Sequence, residues 1–313
     1  MQLLLLFPGQ GSQKPGMAKD LAEHFPAARA VFAEADAALG TSLSSLCFDG
    51  PADELTRTHN AQPALLAHGA AVWAVVKDTA APHVAAAAGH SLGEFSAYHA
   101  AGSLSLTDAV RLVRRRGELM YETGVARPGA MAAILGDLQR PIDEVCAEAS
   151  AEGVVVPANY NAIEQVVISG EVAGVERGME LAKAAGAKRA IRLQVSGAFH
   201  SPLMRPAESG LGQALAHAAW RAPSWPVYSN VTAGPVTDAT TANDVLLRQL
   251  TSPVRWVAVI HAMASAYPDG TFVEMGPGNV LTGLLKRLAP KHAAKTCGTL
   301  AEVEALLSAL SPP

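Results

Sequence analysis

The sequence is poor in the residues that mark a metal-binding or disulfide-stapled protein. Its three cysteines are Cys47, Cys146 and Cys297. They are odd in number and widely spaced, so they form neither a metal motif nor a disulfide framework. Reduced thiols and a cytoplasmic location are expected. Charge is sparse as well: 17% of residues are charged and the net charge is −4, which gives nucleic-acid binding no support. No apolar run approaches the ~20 residues that cross a bilayer, so no membrane association is expected. Leu3 to Phe7 is too short for the core of a secretion signal and has no basic lead-in. Internal repeats and low-complexity linkers are missing. The turn Pro8-Gly9-Gln10-Gly11-Ser12-Gln13 lacks the Gly-Lys-Ser/Thr ending of a phosphate loop.

What remains is a chain of 313 residues, half of them hydrophobic, long enough for one or two domains with a sizeable core. Its most informative stretch is Ala87-Ala88-Gly89-His90-Ser91-Leu92-Gly93-Glu94-Phe95-Ser96-Ala97. Val84 to Ala88 reads as a buried strand end, and Leu92 to Ala101 reads as a helix. Gly89, Ser91 and Gly93 fall at the strand-to-helix turn as Gly-x-Ser-x-Gly. The pattern also arises by chance, but in this context it makes a nucleophile elbow. Such a turn pushes the serine into a strained, exposed position, and the helix that follows aims free N–H groups at developing negative charge.

In chain order, Leu3 to Phe7 reads as a buried strand. Helical stretches follow around Met17 to Leu39 and Pro63 to Asp78, with Pro63 suited to a first helical turn. Thr107-Asp108 is read as the cap of a long helix running to about Thr123, with Gly124 suited to its end. Ala109, Leu112, Val113, Leu119 and Met120 share one arc of that helix, and Arg111, Arg114 and Arg115 lie opposite. Arg116 falls inside the apolar arc and needs a partner. Water reached by snorkelling, a structural carboxylate and an anionic substrate are the alternatives.

From Ala130 the pattern becomes β-α-β-β-α-β, the ferredoxin-like arrangement, with strands over Ala130 to Gly136, Val154 to Pro157, Gln165 to Ser169 and Ala190 to Val195. The expected fold is α/β: an α/β-hydrolase-like large domain of residues 1–125 and 199–313 with a parallel sheet, and an inserted ferredoxin-like small domain of residues 126–198. His200 follows a Gly-containing loop where the chain returns from the insertion. Position alone does not single it out strongly among ten histidines. Alternating strands and helices complete the chain.

Seven motifs, in order and over essentially the whole chain, resemble those of the malonyl-CoA:acyl-carrier-protein transacylase family. They are Phe7 to Gln13, Gly89 to Glu94, Arg116-Gly117, Gly129 to Ala133, Gly197 to Ser201, Gln249-Leu250 with Pro253-Val254, and Glu274 to Leu284. The resemblance implies Ser91 as nucleophile, His200 as base and the backbone carbonyl of Gln249 as its orienting group. It implies an oxyanion hole from the backbone N–H groups of Gln10 and Leu92, and a malonyl carboxylate held by Arg116. Met120, Phe199 and Asn159 would complete the substrate pocket, with Phe199 disfavouring a branched malonyl. Malonyl-CoA would be the donor and the phosphopantetheine thiol of an acyl carrier protein the acceptor. No metal, no permanently bound cofactor and a monomer are expected. In Asn159 to Gln165, read as a loop, Ile163-Glu164 stand where the family usually has Pro-Gly. A serine hydrolase and a non-catalytic scaffold are the rival readings. Fatty-acid synthesis, polyketide synthesis and malonate decarboxylation would all use such an enzyme.

Overall fold

The computed structural model describes residues 1–311. Strand β1 (Gln2–Phe7) is followed by helices α1 (Lys19–His24), α2 (Pro26–Leu39), α3 (Leu43–Asp49), α4 (Ala52–Thr56) and α5 (Thr58–Ala80). Strand β2 (Val84–Gly89) leads into helices α6 (Gly93–Ala100) and α7 (Leu106–Ala126). Then come β3 (Ala130–Leu135), α8 (Ile142–Ala149), β4 (Val155–Ala162), β5 (Gln165–Gly170), α9 (Val172–Ala184) and β6 (Arg189–Arg192). The chain ends with α10 (Pro206–His217), β7 (Val227–Tyr228), β8 (Pro235–Val236), α11 (Ala239–Arg248), α12 (Trp256–Ala266), β9 (Gly270–Met275), α13 (Val280–Leu288), β10 (Ala294–Cys297) and α14 (Leu300–Leu310). The result is an α/β protein.

The larger sheet has the order β10-β9-β1-β2-β7-β8 and is parallel except for β8. Its central strand β1 is apolar at every position from Leu3 on because both faces are covered. Leu3, Leu5 and Phe7 enter one core and Leu4 and Leu6 the other, as a two-residue repeat requires. In the register of β1 with β2, Phe7 lies opposite Gly89. Both strands therefore end together, and the loops after them, at Gln10 and at Ser91, leave the same sheet edge. Ligand crevices of parallel sheets form at that edge.

The second sheet is antiparallel, in the order β4-β5-β3-β6. Ala130, Ala132 and Ile134 pack under α8 and α9, while the alternate residue Met131 joins the core of the larger sheet. The two parts are joined at a seam. Val254 N–H donates to Ala158 O at 2.8 Å and Tyr160 N–H donates to Val254 O at 2.9 Å, so the chain after α11 runs parallel along edge strand β4.

Several local expectations are corrected. The stretch from Met17 to Leu39 is two helices, broken at Phe25, because Pro26 starts a new one at its first position. Helix α5 begins at Thr58, so Pro63 lies inside it. Its first turn is held by its neighbours: Asn60 and Ala61 N–H reach Arg57 O at 2.8 Å, and Asn60 Nδ2 reaches Glu54 O at 2.8 Å. Ser105 caps α7, its Oγ accepting from Asp108 N–H at 3.0 Å. The helix runs through Gly124, where a side chain would overlap the Ser196 carbonyl. Gly124 is thus required by close approach and not by termination. Strand β4 continues to Ala162, so Asn159 to Gln165 is mostly strand. Only Ile163-Glu164 form the hairpin turn, with Ile163 76% exposed.

Candidate active site

Ser91 sits between β2 and α6 with φ of 51°, a left-handed conformation that costs a non-glycine residue of order 1–3 kcal/mol. Asn230 holds it there. Its Oδ1 accepts the Ser91 N–H at 2.7 Å and its Nδ2 donates to Gly89 O at 2.7 Å, so one side chain spans the turn. A Cβ on Gly89 would overlap the Gly93 carbonyl, and one on Gly93 would overlap the Phe7 carbonyl. Both glycines are therefore dictated by backbone approach, as the elbow reading required. Gly89→Ala is expected to lower stability by ~1–3 kcal/mol and to reduce labelling of Ser91. A melting temperature equal to that of the wild type would contradict this account of the turn.

His200 reaches the elbow from the other end of the insertion, with φ of 56°. Its Nε2 lies 2.8 Å from Ser91 Oγ and its Nδ1 2.9 Å from the backbone carbonyl of Gln249. A carbonyl only accepts, so Nδ1 carries the proton and Nε2 is free to accept from the serine hydroxyl. Burial, reinforced by the Arg116 guanidinium, pushes the pKa of His200 down to about 3, so the imidazole is neutral and able to act as a base.

Arg116 is 1% exposed. Of the alternatives open from the sequence, neither water nor a structural carboxylate takes its hydrogen bonds. Nη1 donates to Gln62 Oε1 at 2.7 Å, and Nη2 donates to Gln249 Oε1 at 2.9 Å and to Ser91 Oγ at 3.0 Å. Its Nε is buried without a partner. Burial lowers its pKa to about 10, so it remains a cation at neutral pH. Gly117 lets α7 approach α5, since a Cβ there would come within 2.6 Å of His59 Cα. That contact brings Gln62 to the guanidinium. Arg111 is exposed and Arg115 pairs with Glu118 and Glu122, as a solvated face implies, but Arg114 is half-buried and donates to Asn60 Oδ1 at 2.6 Å.

These groups surround a cavity of about 280 Å³ lined by Gln10, Ser91, Leu92, Arg116, Met120, Asn159, Phe199 and His200, among others. The structure thus brings together every residue expected in the site. Gln249 stands behind the lining and acts through its carbonyl and its amide. Among the described residues, the backbone N–H groups of Gln10 and Leu92 have no protein acceptor. A larger cleft of about 860 Å³ between β4, α8 and α12 shares His200 with this cavity.

Gln62, Asn230, Glu94 and the pair His90–Asn161, joined at 2.8 Å, were not expected. One signal for Gln62 is in the sequence: it is a polar residue in a helix buried on all sides from Ala61 to Trp73. No group of side chains able to hold a metal occurs among the described residues, and no helix there is long and apolar enough to cross a membrane.

Comparison with known proteins adds an independent line. The acyl transferase domain family matches residues 4–304. The chain is 49% identical over 289 residues to the malonyl CoA-acyl carrier protein transacylase of Bacillus subtilis strain 168, covering 92% of this chain and 90% of that one. It is 44% identical to the Escherichia coli K12 protein of the same name, over 99% of both chains. Its fold is similar to that of the acyl-carrier-protein S-malonyltransferase of Bartonella henselae, with a TM-score of 0.94, 45% identity and 99% of both chains covered. It is also similar to a malonyl-transacylase solved with a type II polyketide acyl-carrier protein, with a TM-score of 0.93, 40% identity and coverage of 99% and 100%.

Proposed function

The chain belongs to the malonyl-CoA:acyl-carrier-protein transacylases of the acyl transferase family, and from that premise we propose how its site moves a malonyl group from coenzyme A to a carrier protein in fatty-acid or polyketide synthesis. One observation carries the reading: Ser91 Oγ lies 2.8 Å from a neutral imidazole nitrogen and 3.0 Å from a buried guanidinium. A base and an anion-binding cation meet at one nucleophile.

Ser91 Oγ attacks the thioester carbonyl of malonyl-CoA as its proton passes to His200 Nε2. The tetrahedral oxyanion accepts from the N–H groups of Gln10 and Leu92, each donor worth ~3 kcal/mol. When the C–S bond breaks, the His200 proton goes to the coenzyme A thiolate, leaving a malonyl-serine ester. The carrier's phosphopantetheine thiol then gives its proton to His200 and attacks the ester. Collapse returns that proton to Ser91. The Gln249 carbonyl holds the tautomer throughout, and thereby supplies the orienting part of a triad without its acid. Arg116 releases Ser91 Oγ on acylation and offers Nε and an Nη to the malonyl carboxylate as a two-pronged donor. Met120, Phe199 and Asn159 line the acyl pocket, and Phe199 disfavours a branched malonyl. The pantetheine arm approaches through the larger cleft that shares His200.

We also read the larger sheet with its elbow as α/β-hydrolase-like and the four-stranded unit, residues 126–198, as a ferredoxin-like insertion. The larger domain is then residues 1–125 and 199–313, of which 312–313 lie outside the described residues. A cytoplasmic monomer without a metal or permanently bound cofactor fits this chemistry.

Mass spectrometry after mixing with malonyl-CoA tests the reading. The wild type is expected to accumulate a malonyl adduct on Ser91 that holo carrier protein discharges, and Ser91→Ala to form none while folding normally. Turnover of malonyl-CoA without adduct or carrier would identify a hydrolase instead.

A further inference from the structure

The first turn of α6 carries an acid that the mechanism above does not use. Glu94 is fully buried, 0% exposed, a rare state for a glutamate. Its Oε2 accepts from Gln249 Nε2 at 2.7 Å and from Asn230 N–H at 3.0 Å, while Oε1 has no partner. An ionised carboxylate only accepts, so the end of the Gln249 amide that faces it is the NH2. The same NH2 donates to Ser91 O at 3.1 Å, which leaves Gln249 Oε1 for Arg116 Nη2. The backbone carbonyl of Gln249 meanwhile holds His200, and Asn230 spans the elbow. One carboxylate thus stands behind the residues that direct the cation, the base and the nucleophile.

We infer that Glu94 is a positioning residue for malonyl recognition: it fixes the Gln249 amide one way round, so that a carbonyl oxygen faces Arg116 and aims the guanidinium into the acyl pocket. This rests on the roles given above to Ser91, His200 and Arg116. With the amide reversed, an NH2 group would face the guanidinium, donor against donor, and Arg116 would lose its direction. Acetyl transfer does not need that direction; malonyl transfer does.

The charged and titratable groups around Glu94 are Arg116 on α7 and Tyr98 on its own helix, with neutral His200 beyond Gln249. Burial pushes Glu94 up to about 7, against the pull of its hydrogen bonds and of Arg116. The arrangement therefore titrates near neutrality. Below that point the acid is protonated, its O–H can donate to the Gln249 side-chain oxygen, and the amide keeps only its contacts with Ser91 O and Arg116 to hold its direction. Above it the carboxylate holds the amide in place.

The test measures kcat/KM for malonyl-CoA and acetyl-CoA across about pH 6 to 8, on wild type and on Glu94→Gln. In the wild type the preference for malonyl-CoA is expected to rise with pH through about 7. In Glu94→Gln the side-chain amide can present either end to Gln249. Malonyl-CoA turnover should then fall roughly ten- to a hundredfold, acetyl-CoA turnover little, and the pH dependence of the preference should vanish. Equal losses for both thioesters, with the wild-type pH dependence retained, would make Glu94 merely structural and overturn the inference. A wild-type preference that is flat across the range would overturn it as well, and that arm needs no variant to fold. Failure of the wild type to form malonyl-serine would instead sink the reading of the site itself.

Discussion

Replacing His200 by alanine is expected to slow the acylation of Ser91 by roughly 10²–10⁴-fold, the usual contribution of a positioned general base, acting here as a unit with its nucleophile. The geometry leaves no substitute. Among the described residues, the only other groups bonded to Ser91 Oγ and N–H are Arg116, which cannot accept a proton, and the Asn230 amide. His90, the nearest histidine in sequence, is tied to Asn161 and not to the serine. Because His200 holds a left-handed backbone, alanine there adds strain. Asparagine tolerates that conformation better, so His200→Asn is the companion variant. Both should show the same loss in a rapid-quench measurement of malonyl-serine formation. A loss of only a few-fold in either would mean that another group removes the proton.

The second large effect concerns Arg116 and is a change of preference. A malonyl carboxylate must leave water to enter the acyl pocket, and only a fixed cation with well-placed donors offsets that cost. Breaking such a buried pair costs ~3–5 kcal/mol, which at 1.36 kcal/mol per tenfold is roughly a hundred- to several-thousand-fold in kcat/KM. Arg116→Ala should lose that much with malonyl-CoA. It should lose far less with acetyl-CoA, which brings no carboxylate, and the preference should reverse. Some loss with acetyl-CoA is expected because Gln62 Oε1 and Gln249 Oε1 are left without their donor. Arg115→Ala, which removes only surface pairs with Glu118 and Glu122, should change neither substrate. Equal losses for both thioesters would make Arg116 a structural cation.

What could be read from the sequence was local chemistry. The elbow is legible because strand, glycines and helix lie within a dozen residues, and each glycine is forced by a neighbour in the turn or by the adjoining strand β1. The all-apolar Leu3 to Phe7 appears in the structure as the expected buried strand. The illegible part is made of long-range pairs. Gln62 meets Arg116 across 54 positions, Asn230 meets Ser91 across 139 and Gln249 meets Glu94 across 155. Nothing in the periodicity of either partner encodes such meetings. Helices α10 and α14 differ in how clearly the sequence marks them. For α14 a signal was present, because Thr299 and Glu302 form a capping box at its start. For α10 a proline at the first position and Glu208 in the first turn mark the beginning, without a side-chain cap.

The seam between the two sheets bears on how such an enzyme can diversify. Its two bonds, from Val254 to Ala158 O and from Tyr160 to Val254 O, run from main chain to main chain. They need strand geometry and no particular side chain, so the residues along β4 can drift without unfastening the insertion. That strand carries Asn159 and Asn161 into the cavity, and the turn after it places Ile163 on the larger cleft. The residues that face the cavity from β4 thus lie on a frame that tolerates their replacement. The seam also fastens that frame close to Gln249 in the chain, so new specificities can be tried while the carbonyl that orients His200 stays where it is.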